Sequence, residues 1–348
     1  MDSTDWLQIA DSFFAGGKFD KALVAYTHVN PSWPQNGIGQ ARCLAALKEH
    51  KLALQFIESV LERAPYNDLA LAVKGSILER MGRVEESAIA YDWALEANPN
   101  LPERWRDAAH SIEMVEERSW AESKYVEGIK RFPSDNLARV FLGLLQLGEG
   151  RYEEGFAHFE SRLALYDPLA PNKPIWTGAE DITGKTIGVY VEQGIGDTIQ
   201  FVRFICPMRE RFAPARVILY TRSETYRLMK LVDGVDEVYT LESDYRPYDY
   251  QVPLLSLMGM LKFRGDMEYR PYIGSLPEFP KFPGRNIGFC WKGNPMHGFD
   301  HWRSMGEDDI DRFAAKLRCT AHSLQYGDAR KWMDKCPTGD FLGMAEYI

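Results

Sequence analysis

Gly82-Arg83-Val84-Glu85-Glu86 recurs 68 residues later as Gly150-Arg151-Tyr152-Glu153-Glu154, and Gly17-Lys18-Phe19-Asp20-Lys21 repeats the form near the start of the chain. Each leads toward an aromatic residue: Tyr26 after the first copy in sequence, then Tyr91 and Phe159. Around this signature Pro31, Pro65, Pro99 and Pro133 stand 34 residues apart, and Tyr91, Tyr125 and Phe159 keep the same interval. A fixed spacing of that length marks a repeating supersecondary unit and has to be read before any local motif. The first copy is out of step. Tyr26 keeps the usual eight-residue interval to Pro34 rather than to Pro31, which shortens the second unit to ~31 residues.

The chemistry of the unit follows from its residues. A helix does not continue through proline, and glycine relieves the tight turn between two helices. Small side chains at Ala22, Ala41 and Ala88 let paired helices approach, while the Tyr or Phe fills the groove toward the next pair. One pair cannot bury its apolar face alone, so pairs stack. This pattern resembles the tetratricopeptide repeat family, with about five units over residues 3–165, and implies an α-solenoid over residues 1–165. The concave face of such a stack takes a protein or peptide. Here it is acidic, with 18 basic against 25 acidic residues in 1–166, compared with 23 against 25 in 167–348. A stack that only buttresses the following domain is the other reading of the same pattern.

The 348 residues suffice for two or three domains, and 45% hydrophobic with 26% charged residues is the mix of an ordinary globular chain. A formal charge of −9 argues against a nucleic-acid surface or an anionic membrane as partner. No apolar run approaches the ~18 residues of a membrane span; the best, Val140–Leu147, is eight long and contains Gln146. Met1-Asp2-Ser3-Thr4-Asp5 lacks the start of a secretory signal. Five widely spaced cysteines, with no C-x-x-C pair or His/Cys cluster, point to a reducing cytoplasm with buried thiols, no disulfide, no metal and no cofactor.

After Phe156-Ala157-His158-Phe159-Glu160 the pattern changes, and Pro168, Pro171 and Pro174 break the helices. Thr186–Val191, Arg216–Tyr220, Glu237–Leu241 and Tyr250–Leu254 read as strands, separated by amphipathic stretches that include Ile199–Ile205 and Thr225–Val232. Alternating strands and helices predict a doubly wound parallel sheet. Further strands are expected at Asn286–Trp291 and Ala321–Gln325, with a helix from about Asp308 to Leu317 between them.

In such sheets ligands sit at the carboxyl ends of the strands, above all in the first strand-to-helix loop. That loop is Glu192-Gln193-Gly194-Ile195-Gly196-Asp197-Thr198. Two glycines permit a sharp turn, and the amides of the next helix can hold an anion. Asp197 or Thr198 could cap that helix; Asp197 could also take a proton from an attacking hydroxyl. Ile199 stands where a dinucleotide fingerprint needs its third glycine, and Gly184-Lys185-Thr186 precedes a strand instead of following one, so neither a nicotinamide site nor a P-loop is expected. A second constellation combines Lys292, Gly293, Asn294 and His297 with Asp300, Arg303 and Ser304.

Glu192-Gln193-Gly194-Ile195-Gly196-Asp197-Thr198-Ile199-Gln200-Phe201-x-Arg203 and Trp291-x-Gly293-Asn294-Pro295-x-His297-x-x-Asp300-x-x-Arg303-Ser304 resemble the tetratricopeptide-repeat glycosyltransferases, which are related to heptosyltransferases and O-linked N-acetylglucosamine transferases. Phe156-x-x-Phe159-Glu160-x-Arg162-Leu163 and Leu254-Leu255-Ser256-Leu257 fit the same family. The resemblance implies a GT-B fold: a Rossmann-like domain over 166–282 and a second, partial one over 283–348, with a nucleotide-sugar donor held between them in the complete enzyme. It implies an inverting, metal-independent transfer of the sugar to an acceptor hydroxyl. Asp197 would be the general base, and the amides of Gly194 and Gly196 would face the acceptor or phosphates. Lys292, His297 and Arg303 would supply charge to the departing diphosphate, with Gln193, Thr198, Asn294 and Ser304 among the substrate contacts. A surface salt bridge for Arg303 and a loop hydrogen bond for His297 are the competing readings.

The sequence departs from the family at its end. Asp340–Ile348 follows where relatives continue into an Asp-Thr/Ser-x-x-x-His-Leu-Ala stretch that grips the nucleotide, and Gly343-Met344 stand where relatives have Asp-Thr. The expectation is therefore a chain truncated before its donor site and inactive as it stands, or a non-enzymatic adaptor whose repeats bind a protein or peptide.

Overall fold

The computed structural model describes residues 1–165, 168–170, 172–243, 245–266, 270–274, 284–293, 300–316, 320–323 and 334–335. The chain divides into two compact units, Met1–Leu165 and Tyr166–Ile348.

The first unit is five helical pairs: α1 (Ser3–Ala15) with α2 (Phe19–Thr27), α3 (Pro34–Ala46) with α4 (His50–Arg63), α5 (Asp68–Arg80) with α6 (Val84–Ala97), α7 (Pro102–Met114) with α8 (Arg118–Arg131), and α9 (Asn136–Gly148) with α10 (Tyr152–Phe159). Pro31, Pro65, Pro99 and Pro133 all fall between pairs. The first helices begin at residues 3, 34, 68, 102 and 136, so the short unit is the first pair and not the second. The physical reason lies at the end of α2. That helix has nine residues where α4, α6 and α8 have 14. Just past it the chain turns, Val29 N donating to Tyr26 O at 3.0 Å, and the buried Asn36 amide crosses the turn to donate to Tyr26 O at 2.9 Å and Val29 O at 2.6 Å.

The two helices of each pair meet at small residues in one register. Ala10, Ala41, Gly75, Ala109 and Gly143 face Ala22, Ala53, Ser87, Ala121 and Gly155, all buried. Ser87, with its hydroxyl on Gly75 O at 2.9 Å, holds the place expected for Ala88, which lies one residue off the contact and is half-exposed. At Gly143 a side chain would meet the backbone of Phe159 at 2.7 Å and of Gly155 at 2.8 Å, so no residue larger than glycine fits there without moving the two helices apart. The large residue of the repeat is Tyr26, Ile57, Tyr91, Tyr125 and Phe159, each buried. The turn within each pair puts one residue in left-handed backbone: Gly17, Lys48, Gly82, Glu116 and Gly150. Successive pairs are also tied by charge. Arg104 on α7 is buried and places Nε and Nη2 at 3.0 and 2.9 Å from Asp68 Oδ2 at the start of α5.

The second unit carries a four-stranded, all-parallel sheet in the order β3-β2-β1-β4. Its elements are β1 (Thr186–Tyr190), α11 (Ile195–Phe201), α12 (Ile205–Phe212), β2 (Arg216–Thr221), α13 (Tyr226–Met229), β3 (Glu237–Thr240), β4 (Tyr250–Pro253) and α14 (Ser256–Met260). Val189, Val217, Leu219 and Val252 are fully buried, as are Ile218 and Tyr220, which project to the opposite face. Burial on both faces is why these strands read as near-continuous apolar runs. The buried Gln251 side chain pins the entering segment, donating to Ala170 O and Lys173 O at 2.7 Å and accepting from Ala170 N at 3.0 Å. Farther along are β5 (Asn286–Phe289), α15 (Asp300–Arg303), α16 (Glu307–Ala314), β6 (Thr320–Ser323) and β7 (Asp334–Lys335), with the strands parallel in the order β5-β6-β7. Cys43 is buried, but Cys290 is exposed and Cys206 partly so; among the described cysteines the expectation of buried thiols holds for Cys43 alone, and Cys319 and Cys336 lie outside the described residues.

Candidate functional site

The direction in which the sheet grows reverses at β1. From β1 the chain steps to β2 and then β3, and returns to lay β4 against the free side of β1. The crevice outside the carboxyl ends of β1 and β4 is the place where such sheets bind ligands. Leu254 N on Tyr190 O at 2.8 Å closes the β4 side, and Val191 N on Tyr220 O at 3.1 Å closes the β2 side. Glu192–Gly194 then turns into α11.

Gly194 itself is the residue preceding α11, so neither Asp197 nor Thr198 occupies the capping position expected for one of them. Asp197 sits in the first turn and reaches back, its Oδ2 accepting from Gly194 N–H at 3.0 Å. The carboxylate is half-exposed at the mouth of the sheet. Thr198 is buried; its N–H and hydroxyl both donate to Gly194 O, at 3.0 and 3.1 Å. Gly194 and Gly196 are exposed, and a side chain at Gly196 would meet open space. The Gln193 carbonyl accepts from Arg222 Nε and Nη2 at 3.3 and 3.2 Å. Sequence reasoning missed Arg222. Its signal was the parallel register: Tyr190 pairs with Tyr220, so a residue just past β2 stands beside the loop just past β1.

The second constellation closes around Gly293. Ser304 Oγ accepts from Gly293 N at 2.8 Å and donates to Asp300 Oδ1 at 2.7 Å, while Arg303 Nε lies 3.5 Å from the same oxygen. Lys292 Nζ pairs with Glu307 at 2.7 Å. Both cations thus have carboxylate partners. Asn294 and His297 lie outside the described residues. Among the described residues, no group of three or more His, Cys, Asp or Glu side chains is placed to hold a metal ion, and no helix is long and apolar enough to cross a membrane.

The helical unit gathers a third group. Glu79 on α5 and Asp107, His110 and Glu113 on α7 belong to first helices of consecutive pairs. Asp107 keeps 37% of its side chain open to water, and protein crowds the rest. That surrounding pushes its carboxyl up to about 6, against the pull of Arg104 and Arg106. Burial raises Glu79 and Glu113 as well, helped by Asp107 beside the one and Glu149 beside the other. Burial lowers His110. Tyr125, from α8, is driven far up by burial and by the charges of Glu113 and Asp107, and its hydroxyl has no hydrogen-bond partner among the described residues.

No family profile matches the chain. A curated relative, Protein FlbA of Caulobacter vibrioides, is 24% identical over 201 residues, 56% of this chain and 34% of that protein. The chain therefore spans about a third of the length of the curated relative it matches. Solved structures are similar over the helical unit. The MamA fragment from Desulfovibrio magneticus RS-1 is 15% identical, with a TM-score of 0.41, over 47% of this chain and 94% of that one. TTC0263, a thermophilic TPR protein in Thermus thermophilus, is 21% identical, with a TM-score of 0.41, over 47% and 90%. The Pseudomonas aeruginosa pilF structure is 16% identical, with a TM-score of 0.44, over 48% and 77%.

Proposed function

We propose that the second unit belongs to the lineage of nucleotide-sugar glycosyltransferases of GT-B type, and that the helical unit holds a protein or peptide for it. One observation carries the reading: the Gly194–Asp197 loop stands at the reversal point of the sheet, with a half-exposed carboxylate and two open glycines at its mouth. Asp197 would accept the proton of the attacking hydroxyl. The residues 166–282 and 283–348 would be the two Rossmann-like halves, with Arg222 adding positive charge beside the loop. The acidic cluster of Glu79, Asp107 and Glu113 favours a partner with lysine or arginine side chains, since a cation there relieves carboxylates crowded by protein and by neighbouring acidic groups.

A second reading, an adaptor without catalysis, draws on the pairing of Lys292 with Glu307 and Arg303 with Asp300, which occupies the cations a diphosphate would need. Transfer of sugar from a panel of nucleotide-sugars, assayed with this chain and with the complete reading frame of its gene, separates the two. Turnover in the complete form supports the first. Binding of a basic peptide with no nucleotide binding and no turnover in either form supports the second.

A further inference from the structure

The gap between α4 and α6 is a groove of about 330 Å³, floored by Leu71 and Leu78 of α5 and walled by Leu61, Pro65, Ile89 and Trp93. Its α6 wall stands out into solvent: Ile89 is 54% exposed and Trp93 58%. These two are four residues apart on a helix, so they form one continuous ridge. The charges on the helix that carries the ridge share one sign. The exposed residues of α6 include Glu85, Glu86 and Glu96, and the helix Val84–Ala97 contains four acidic residues and no basic one.

The basic groups nearby are already committed. Lys74, in the floor, pairs with Glu58 at 3.1 Å, and Arg83 grips Glu86 at 2.6 and 2.5 Å. Lys124 holds Asp92 at 2.6 Å, and Arg63 of α4 is turned to the Pro31 carbonyl at 3.0 Å. Glu85 lies one helical turn before Ile89 and Glu96 one turn after Trp93; neither has an ion-pair partner among the described residues.

We propose that this groove is a docking site for a cationic amphipathic helix, one that lays apolar side chains at i and i+4 between Ile89, Trp93 and the Leu71–Leu78 floor and sets lysine or arginine beside Glu85 and Glu96. The shape takes the apolar stripe of a helix and the rim takes its positive flank. Trp93 is the anchor, because a large aromatic at the centre of a desolvated contact carries most of its free energy. This site is distinct from the Glu79–Asp107–Glu113 cluster and needs no part of the sugar-transfer reading.

The test is fluorescence anisotropy of a labelled synthetic helix of leucine, alanine and lysine, titrated with the full chain, beside the same helix with glutamate in place of lysine. The lysine helix is expected to bind, with affinity falling steeply as salt rises. Trp93→Ala should weaken it by about 30-fold or more, the scale of an interface anchor. Glu85→Lys with Glu96→Lys should weaken it by about tenfold or more while leaving the circular dichroism unchanged. Trp93 is exposed, so its loss leaves the core intact. Equal binding of both helices, or unchanged binding by Trp93→Ala, overturns the proposal. So does sedimentation showing that a second copy of the chain covers this face and that Trp93→Ala dissolves the dimer.

Discussion

The carboxylate of Asp197 accepts the backbone N–H of Gly194 at 3.0 Å, so the acidic residue at the mouth of the parallel sheet also ties down the turn that brings it there. Gly194 has no side chain with which to cap α11, and Asp197 supplies the returning half of a capping pair. Position and chemistry are coupled in one residue.

Asp197→Ala is therefore expected to loosen the start of α11 and cost about 1 kcal/mol, the worth of a lost terminal hydrogen bond. Asp197→Asn keeps an acceptor oxygen and should cost less than half of that. Urea denaturation of the two variants checks the order; equal losses would show that Asp197 does not hold the turn.

Gly82 has φ of +74° in the turn of the third pair, and Glu116 adopts φ of +66° in the equivalent turn of the fourth. Gly82→Ala should destabilise by about 1 kcal/mol, since a Cβ strains left-handed backbone. Glu116→Gly should stabilise by about 0.5 kcal/mol, the strain relieved less the added freedom of the unfolded chain. Thermal unfolding of both reads the two signs, and a destabilised Glu116→Gly would contradict the account of the turn.

The Tyr125 ring is buried, but its hydroxyl lacks a partner among the described residues. Tyr125→Phe should be neutral or stabilising by up to about 1 kcal/mol, because it removes a buried polar group that gains nothing. Tyr125→Ala should cost about 3–5 kcal/mol through the cavity it leaves. A marked loss in Tyr125→Phe would reveal a hydrogen bond at that hydroxyl.

The Asp107 carboxyl, raised to about 6 by burial, binds its proton more readily in the folded chain than in the unfolded one. Stability from this group is thus greatest at acid pH and is lost as pH rises from about 4 through 6. Because the side chain is still partly open to water, the loss is at most about 1 kcal/mol after solvent screening. Asp107→Asn should accordingly gain stability over wild type at pH 7 and little at pH 4. A difference that grows toward acid pH would reverse the sign and refute the burial argument.

The repeat was legible because proline and aromatic spacing are imposed by stacking, which leaves a period in the sequence whatever the intervening residues. The parallel strands were legible for a related reason: burial on both faces makes Ile187–Tyr190 and Val217–Tyr220 apolar throughout. What escaped were contacts set by three-dimensional register. Ser87 rather than Ala88 meets Gly75, a shift of one residue that composition cannot separate. Asn36, reaching back to Tyr26 and Val29 across the end of the short first pair, joins residues that the period does not mark. At the sheet, the reversal point fell at the expected loop, but the helix began at Ile195, earlier than a cap at Asp197 would allow. Arg222, 29 residues from Gln193 in sequence, joins the loop only through the pairing of β1 with β2.

The decisive measurement is the rate of sugar transfer from a nucleotide-sugar by the complete gene product, wild type against Asp197→Asn, with both shown to be folded. Loss of general-base help predicts a fall of about 10²-fold or more with the fold unchanged. A variant that turns over at the full rate, or a wild type that neither binds nor consumes any nucleotide-sugar, would contradict the assignment of this loop to catalysis.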